Sequence, residues 1–235
     1  MKAGIMQPYF FPYIGYWQLI NAVDKYIIYD DVNYINRGWI NRNRIIVDGQ
    51  VKYFNLPLIG ASQNKHINEL KVSKNSGWIL KKMKTIEYAY KKAPYFYEIF
   101  PLIKNVLDCK KENLALYLEN SFYVICDYLD IKTEFIISSS LDKDCKKRGQ
   151  EKIISICDLL EVTEYYNAIG GKELYSFSDF KERGIDLKFL QTNEIEYKQF
   201  GKEFYPNLSI LDVMMFNSKD RIKEMLNDYV LITNV

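Results

Sequence analysis

Within its first thirty residues the chain reads strand, turn, helix, strand. Residues 2–6 form a short apolar strand, 8–16 a turn, and 15–23 a helix with Trp17, Leu19, Ile20 and Val23 at its apolar positions. Residues 26–29 form a second strand that stops at Asp30 and Asp31. Two short strands joined through one helix lie parallel, and parallel strands need helices on both faces. The remainder fits that frame. Residues 44–47 and 51–56 flank Asp48-Gly49, a strong hairpin signal. Residues 57–65 read as loop and 67–72 as a strand. From Trp78 to Asp130 the pattern is helical, with Pro101 early in the second of three helices. Strands at 132–138, 164–167 and 185–190, and helices at 149–160, 210–216 and 218–226, complete the order. The expectation is an α/β fold: a mostly parallel, Rossmann-like sheet with an appended hairpin and a helical insertion. It is expected to form one domain, residues 1–235, with a helical subdomain at about 76–131.

The formal net charge is only +2, so no overall field recruits nucleic acid. No apolar run approaches the roughly 18 residues of a membrane span. The N-terminus has no signal-peptide layout, so a cytoplasmic protein without a membrane span is expected. The four cysteines have no CxxC spacing, so neither a structural zinc nor a disulfide framework is expected. Among the 235 residues are 20 tyrosines, whose flat faces and hydroxyls suit polar planar ligands. A base-composition bias that also enriches Asn, Ile and Lys would give the same count.

Candidate site residues crowd behind the first two strands, where ligands bind in open α/β sheets. Gln7, Tyr9, Tyr13, Gly15 and Tyr16 belong to the first turn; there Gly15 would let a ligand approach the helix start. Tyr34, Arg37, Trp39, Asn41, Arg42 and Arg44 follow the second strand. The arginines could neutralise a diphosphate, or simply form an exposed basic turn. Trp39 is a stacking platform or a core residue. Asp30 and Asp31 could hold Mg²⁺ with a phosphate or accept a proton from an amine. The plain alternative is a cap and a solvated neighbour. Asp31→Asn is expected to keep the fold and lose activity. His66, the single histidine, could act as a general base, or be an ordinary surface residue. Cys145, among lysines, is a weak nucleophile candidate. A second cluster, Arg148 and then Asn167, Gly170, Gly171 and Tyr175, would offer backbone amides to a ligand and form the opposite wall; an ordinary glycine turn reads the same way. No metal ligands are assigned.

Two resemblances follow from these residues. The turn PYFFPYIGY resembles the H-x-G-H turn of the nucleotidyltransferase and class I aminoacyl-tRNA synthetase (HUP) superfold, with Tyr13 and Tyr16 in place of the histidines. Tyrosine hydroxyls titrate near pH 10 and cannot replace imidazolium on a departing pyrophosphate. The likeness therefore implies the fold without the adenylylation. Three stretches in order, MQPYFFPYIGYWQLINAVDKYIIYDDVNYINRGWINRNRI, RGQEKIISICDLLEVTEYYNAIGGKELY and LSILDVMMFN, resemble the WbqC-like family over essentially the whole chain. That family occurs among bacterial O-antigen and surface-polysaccharide (lipopolysaccharide) genes, and a glycine-transferase role has been suggested for it. The resemblance implies an enzyme that transfers glycine or another acyl group to the amine of a dTDP- or UDP-linked amino sugar. The cofactor is unknown: activation of the carboxyl in situ would need ATP and Mg²⁺, whereas a thioester or a charged tRNA would need neither. The alternative is a non-catalytic nucleotide- or sugar-binding module on a degenerate version of the same fold. An RNA-binding role is disfavoured by the charge.

Overall fold

The computed structural model describes residues 1–233 except 74, 76 and 202. Its centre is a six-stranded sheet in the order β7-β2-β1-β8-β9-β10, built from β1 (Lys2–Met6), β2 (Lys25–Ile28), β7 (Glu134–Ile137), β8 (Glu164–Ala168), β9 (Asp186–Thr192) and β10 (Tyr229–Ile232). The first five run parallel and β10 pairs antiparallel at the edge. In chain order the parallel strands therefore lie 3-2-1-4-5, the Rossmann-like arrangement, with its direction of growth reversing between β1 and β8.

Side-chain alternation explains the two covered faces. Ala3, Ile5, Ile27, Tyr165, Leu187 and Phe189 pack towards α5 (Gly149–Leu159) and α6 (Phe177–Glu182). Tyr26, Ile28, Tyr166 and Leu190 point the other way, into the core shared with α1 (Ile14–Asn21), α4 (Leu114–Leu129), α7 (Ile210–Phe216) and α8 (Lys219–Leu226). Phe122 of α4 is the hub of that side, with ring contacts to Tyr16, Trp17, Tyr26 and Phe135. The insertion is α2 (Gly77–Tyr90), α3 (Phe96–Leu107) and α4.

The hairpin stands apart as β3 (Arg42–Val47) and β4 (Gln50–Asn55), and Asp48 and Gly49 both adopt the left-handed conformation its tight turn requires. Three local readings need correction. The expected strand 67–72 is a 3-10 turn, Ile67–Glu69, followed by β6 (Lys71–Val72), which pairs with β5 (Leu58–Ile59). The run 176–182, unassigned in the sequence, is α6, capped by Ser176. The tail beyond α8 returns as β10, whose partner β9 lies some forty residues earlier. No helix among the described residues is long and apolar enough to cross a membrane.

Candidate functional site

The turn between β1 and α1 is held by an alternation of aromatic residues. Phe10 and Phe11 are fully buried against Phe54 of the hairpin, while Tyr9 and Tyr13 remain partly exposed. Phe11 adopts φ +43°, which costs an L-residue about 1–2 kcal/mol. The burial of two phenylalanines offsets that cost. Four carbonyls at the turn accept side-chain hydrogen bonds. Gln7 O accepts from the Tyr16 hydroxyl at 2.8 Å, Phe10 O from Asn43 Nδ2 at 3.3 Å and Phe11 O from Ser209 Oγ at 2.8 Å. Pro12 O accepts from Trp17 Nε1 at 3.1 Å and from the Ile210 amide at 2.9 Å. Ser209 and Ile210 open the third stretch quoted above, so distant parts of the sequence converge on this turn.

The turn forms one wall of a cleft of about 320 Å³, lined by Tyr9, Tyr13, Trp39, Asn43, Arg44, Ile169, Leu190, Gln191, Thr192 and Asn207. Its place, outside the carboxyl ends of β1, β8 and β9, is the switch point where ligands bind in such sheets. Burial raises the pKa of both Tyr9 and Tyr13, so they stay protonated hydroxyls. A second groove, of about 530 Å³, is lined by residues 193–197, Phe204 and 206–208 and shares Thr192 and Asn207 with the cleft. Glu194 and Glu196 are the only carboxylates among the described residues lining either cavity.

A family model described as the WbqC-like protein family matches residues 7–224. The chain belongs to the WbqC-like protein family. The chain is similar along most of its length to the uncharacterized protein Rv1507c of Mycobacterium tuberculosis (strain ATCC 25618 / H37Rv), 29% identical over 219 residues, which are 92% of this chain and 93% of that one. No solved structure matches the chain.

The other residues singled out in this WbqC-like chain are distributed as follows. Tyr13 and Trp39 reach the cleft, but Tyr16 does not. It is 1% exposed, its ring lies among Tyr9, Tyr26 and Phe122, and its hydroxyl is spent on Gln7. Gly15 makes no room for a ligand. A Cβ there would lie 2.4 Å from Thr192 Oγ1 and 2.6 Å from the Tyr13 ring, so the missing side chain lets two cleft residues close in. Gly15→Ala is expected to cost about 1–3 kcal/mol of overpacking and to push the Tyr13 ring out of place. A melting curve that overlays wild type would contradict that packing.

Tyr34 and Asn41 brace their own loop: the Tyr34 hydroxyl donates to Asn41 Oδ1 at 2.7 Å, and Asn41 Nδ2 donates to Leu56 O at 2.9 Å. Arg42 donates to Gly38 O and Arg37 O and covers the Tyr53 ring at 4.2 Å. Arg37 itself stands exposed in a left-handed turn. None of these lines the cleft.

The acidic pair is committed to structure. Asp30, 1% exposed, accepts from Ser139 N at 2.8 Å and Ser139 Oγ at 2.6 Å, tying the end of β2 to the end of β7. Asp31 Oδ2 pairs with Lys143 Nζ at 3.0 Å and Lys152 Nζ at 2.9 Å, both lysine side chains being almost fully buried. Burial pushes the Asp31 carboxyl up, but hydrogen bonds from Lys152 and Lys143 outweigh it and hold the pKa below the ordinary value. Ser138 Oγ and Asp31 Oδ1 have no hydrogen-bond partner among the described residues, so the two lysines carry the effect. A carboxylate so held is a poor proton acceptor. His66 sits at the head of the 3-10 turn, where its amide donates to Glu69 Oε2 at 2.6 Å and its strand bridge is to Asn33. It lines neither cavity.

Of the second cluster, only the neighbouring Ile169 reaches the cleft. Asn167 is turned inward, donating to the Tyr165 hydroxyl and accepting from the Ala168 amide, each at 2.7 Å. Gly171 packs against that amide, with its virtual Cβ 3.2 Å from Asn167 Oδ1. Tyr175 lies edge-on to Tyr165 in the α5/α6 core, and Arg148 precedes α5 with Nη1 on Cys145 O. Gln191, Thr192 and Asn207 went unnoticed in the sequence. Single polar residues at a strand end or in a loop carry no signal until strand order places β9 beside β8.

Proposed function

We propose that this chain transfers an amino-acid group such as glycine, or another acyl group, to the amine of a nucleotide-linked amino sugar. The observation that carries this reading is the contiguity of two cavities across Thr192 and Asn207. A transferase must hold acceptor and donor side by side, and such proximity supplies much of its rate. The acceptor occupies the cleft, where Tyr9, Tyr13 and Trp39 give it aromatic faces. The donor occupies the groove, whose apolar lining includes Ile14, Ile195, Leu208 and Val213.

Amide formation requires the acceptor amine to lose a proton as it attacks the acyl carbon. The cleft tyrosines are held protonated, and Asp30, Asp31 and His66 are elsewhere. That task falls to Glu194 or Glu196, which line the groove that meets the cleft at Thr192 and Asn207. Among the described residues the cleft lining has no carboxylate, and no group of three or more His, Cys, Asp or Glu could hold a metal ion. A cleft lining without a carboxylate favours an acyl group that arrives already activated, as a thioester or on a charged tRNA, over one activated there by ATP and Mg²⁺.

The second reading, a binding module without catalysis, draws on the same lack of an acid or base in the cleft itself. One experiment separates them: incubation with a UDP- or dTDP-linked amino sugar and an activated glycyl donor, followed by mass measurement of the sugar nucleotide. The transferase reading expects a glycyl mass gain, with the Glu194→Gln/Glu196→Gln double variant slower by about 100-fold or more at unchanged sugar-nucleotide affinity. Tight binding with no product from either type of donor would establish the module instead.

A further inference from the structure

Among the described residues that line the cleft, Arg44 is the one cation. Its backbone is fixed from both sides: its amide donates to Asn43 Oδ1 at 2.8 Å and its carbonyl accepts from Ser209 N at 2.9 Å. The guanidinium lies over the Trp39 ring at 5.6 Å, and a single hydrogen bond, Nη2 to Asn207 O at 3.0 Å, engages it. Nε is buried without a partner, and no carboxylate among the described residues pairs with the group. The described residues of the cleft lining include no aspartate or glutamate. Burying part of a guanidinium with donors unspent and no counter-charge is unfavourable for the free protein. A ligand oxyanion would supply both the charge and the acceptor, and the planar fork of arginine suits phosphate and carboxylate alike.

The contrast with the neighbouring arginines is informative. Arg42 directs its guanidinium at two carbonyls of its own loop, and Arg37 is exposed away from the cleft. We infer that Arg44 alone is the seat of an oxyanion carried by the ligand, a phosphate or carboxylate group attached to a ring that stacks on Trp39 and Tyr13. This rests on the cleft being the ligand site, as proposed above. It further specifies that the ligand is anionic and that the anion lies at the hairpin side, away from the Asp31 cluster.

The test is calorimetric titration of the full chain with UDP, uridine, inorganic pyrophosphate and glucuronate. Wild type should bind UDP more tightly than uridine, and Arg44→Gln should weaken UDP by about 10–100-fold while leaving uridine unchanged. Unchanged uridine binding also shows that the variant is folded. If Arg44→Gln does not fold, Arg44→Lys carries the test, with an intermediate loss for UDP. Arg42→Gln should keep the wild-type UDP-to-uridine ratio. Binding of pyrophosphate identifies the anion as phosphate, and binding of glucuronate identifies it as carboxylate. Full UDP affinity in the Arg44 variants, or a wild type that binds none of the three anions, overturns the inference. Its failure is distinct from that of the transfer reaction. UDP binding that depends on Arg44 without any glycyl product would leave the seat standing, whereas glycyl transfer by Arg44→Gln at wild-type KM would leave the reaction standing without it.

Discussion

Asp31→Ala is expected to unfold about 6–20 °C below wild type, a loss of about 3–5 kcal/mol. The reason is the pair of lysines it holds: Lys143 and Lys152 have side chains only 2% and 3% exposed, and both close on the same carboxylate oxygen. Lys152 also donates to Asp31 O and lies over the Tyr29 ring. Removing the carboxylate leaves two like charges buried together, which costs more than the pair contributes when intact. The effect carries a pH signature. The folded-state pKa of Asp31 is lowered, so its contribution is complete above the ordinary value of 3.8 and is lost as pH falls through the folded value. The gap between wild type and variant, followed by chemical denaturation, should therefore narrow only below about pH 4. An Asp31→Ala protein that melts with wild type would show the lysines to be solvated. The structure also replaces the expectation that Asp31→Asn spares the fold, because an uncharged amide leaves the lysines equally uncompensated.

Asp212→Ala is the second large effect, and its consequence reaches the cleft. Asp212 is fully buried in α7 and accepts from Tyr90 Oη at 2.8 Å, Tyr197 Oη at 2.7 Å and Gln199 Nε2 at 3.0 Å. Gln199 in turn holds Tyr205 through both its amide groups. These bonds fasten the segment that roofs the groove and carries Asn207, the partner of Arg44. Truncation strands three donors at about 1–3 kcal/mol each where they stay buried. The expected result is a loss of about 3 kcal/mol or more, with hydrogen exchange at 195–208 rising before the sheet opens. Burial raises the Asp212 pKa against the opposing bonds from Tyr197, Tyr90 and Gln199. The folded protein thus binds more protons than the unfolded chain between 3.8 and the raised value, and this residue makes stability fall as pH rises across that window. Asp212→Asn should remove that slope, which is opposite in sign to the one from Asp31. Protection at 195–208 equal to wild type in Asp212→Ala would remove this residue from the support of the site.

Local patterns made much of the fold legible. The opening strand–helix–strand, the Asp48-Gly49 hairpin and the strand-helix-strand at 134–168 are each encoded by contiguous residues. The edge strand Tyr229–Ile232 was not, because a four-residue apolar tail becomes a strand only when β9 is beside it. The same distinction governs the site. Tyr9, Tyr13, Trp39 and Arg44 stand out in the first forty-four residues, and all four line the cleft. Asp30 and Asp31 stand out equally, yet their partners Ser139, Lys143 and Lys152 lie more than a hundred residues on. A carboxylate pair at a strand end reads as chemistry until the groups that neutralise it are located. Tyr16 misleads for a related reason: the two residues after it, Trp17 and Gln18, are as buried as it is, and helix periodicity alone does not show that α1 is covered on nearly every side.

The cleft at the β1/β8 switch point is the centre of this account, and a crystal structure with a UDP-linked amino sugar tests it most directly. The predicted result places the ligand between Tyr13 and Trp39, with an oxyanion on Arg44 and the sugar amine turned towards Thr192 and Asn207. A ligand seated instead beside Asp31 and Lys152, at the ends of β2 and β7, would contradict it.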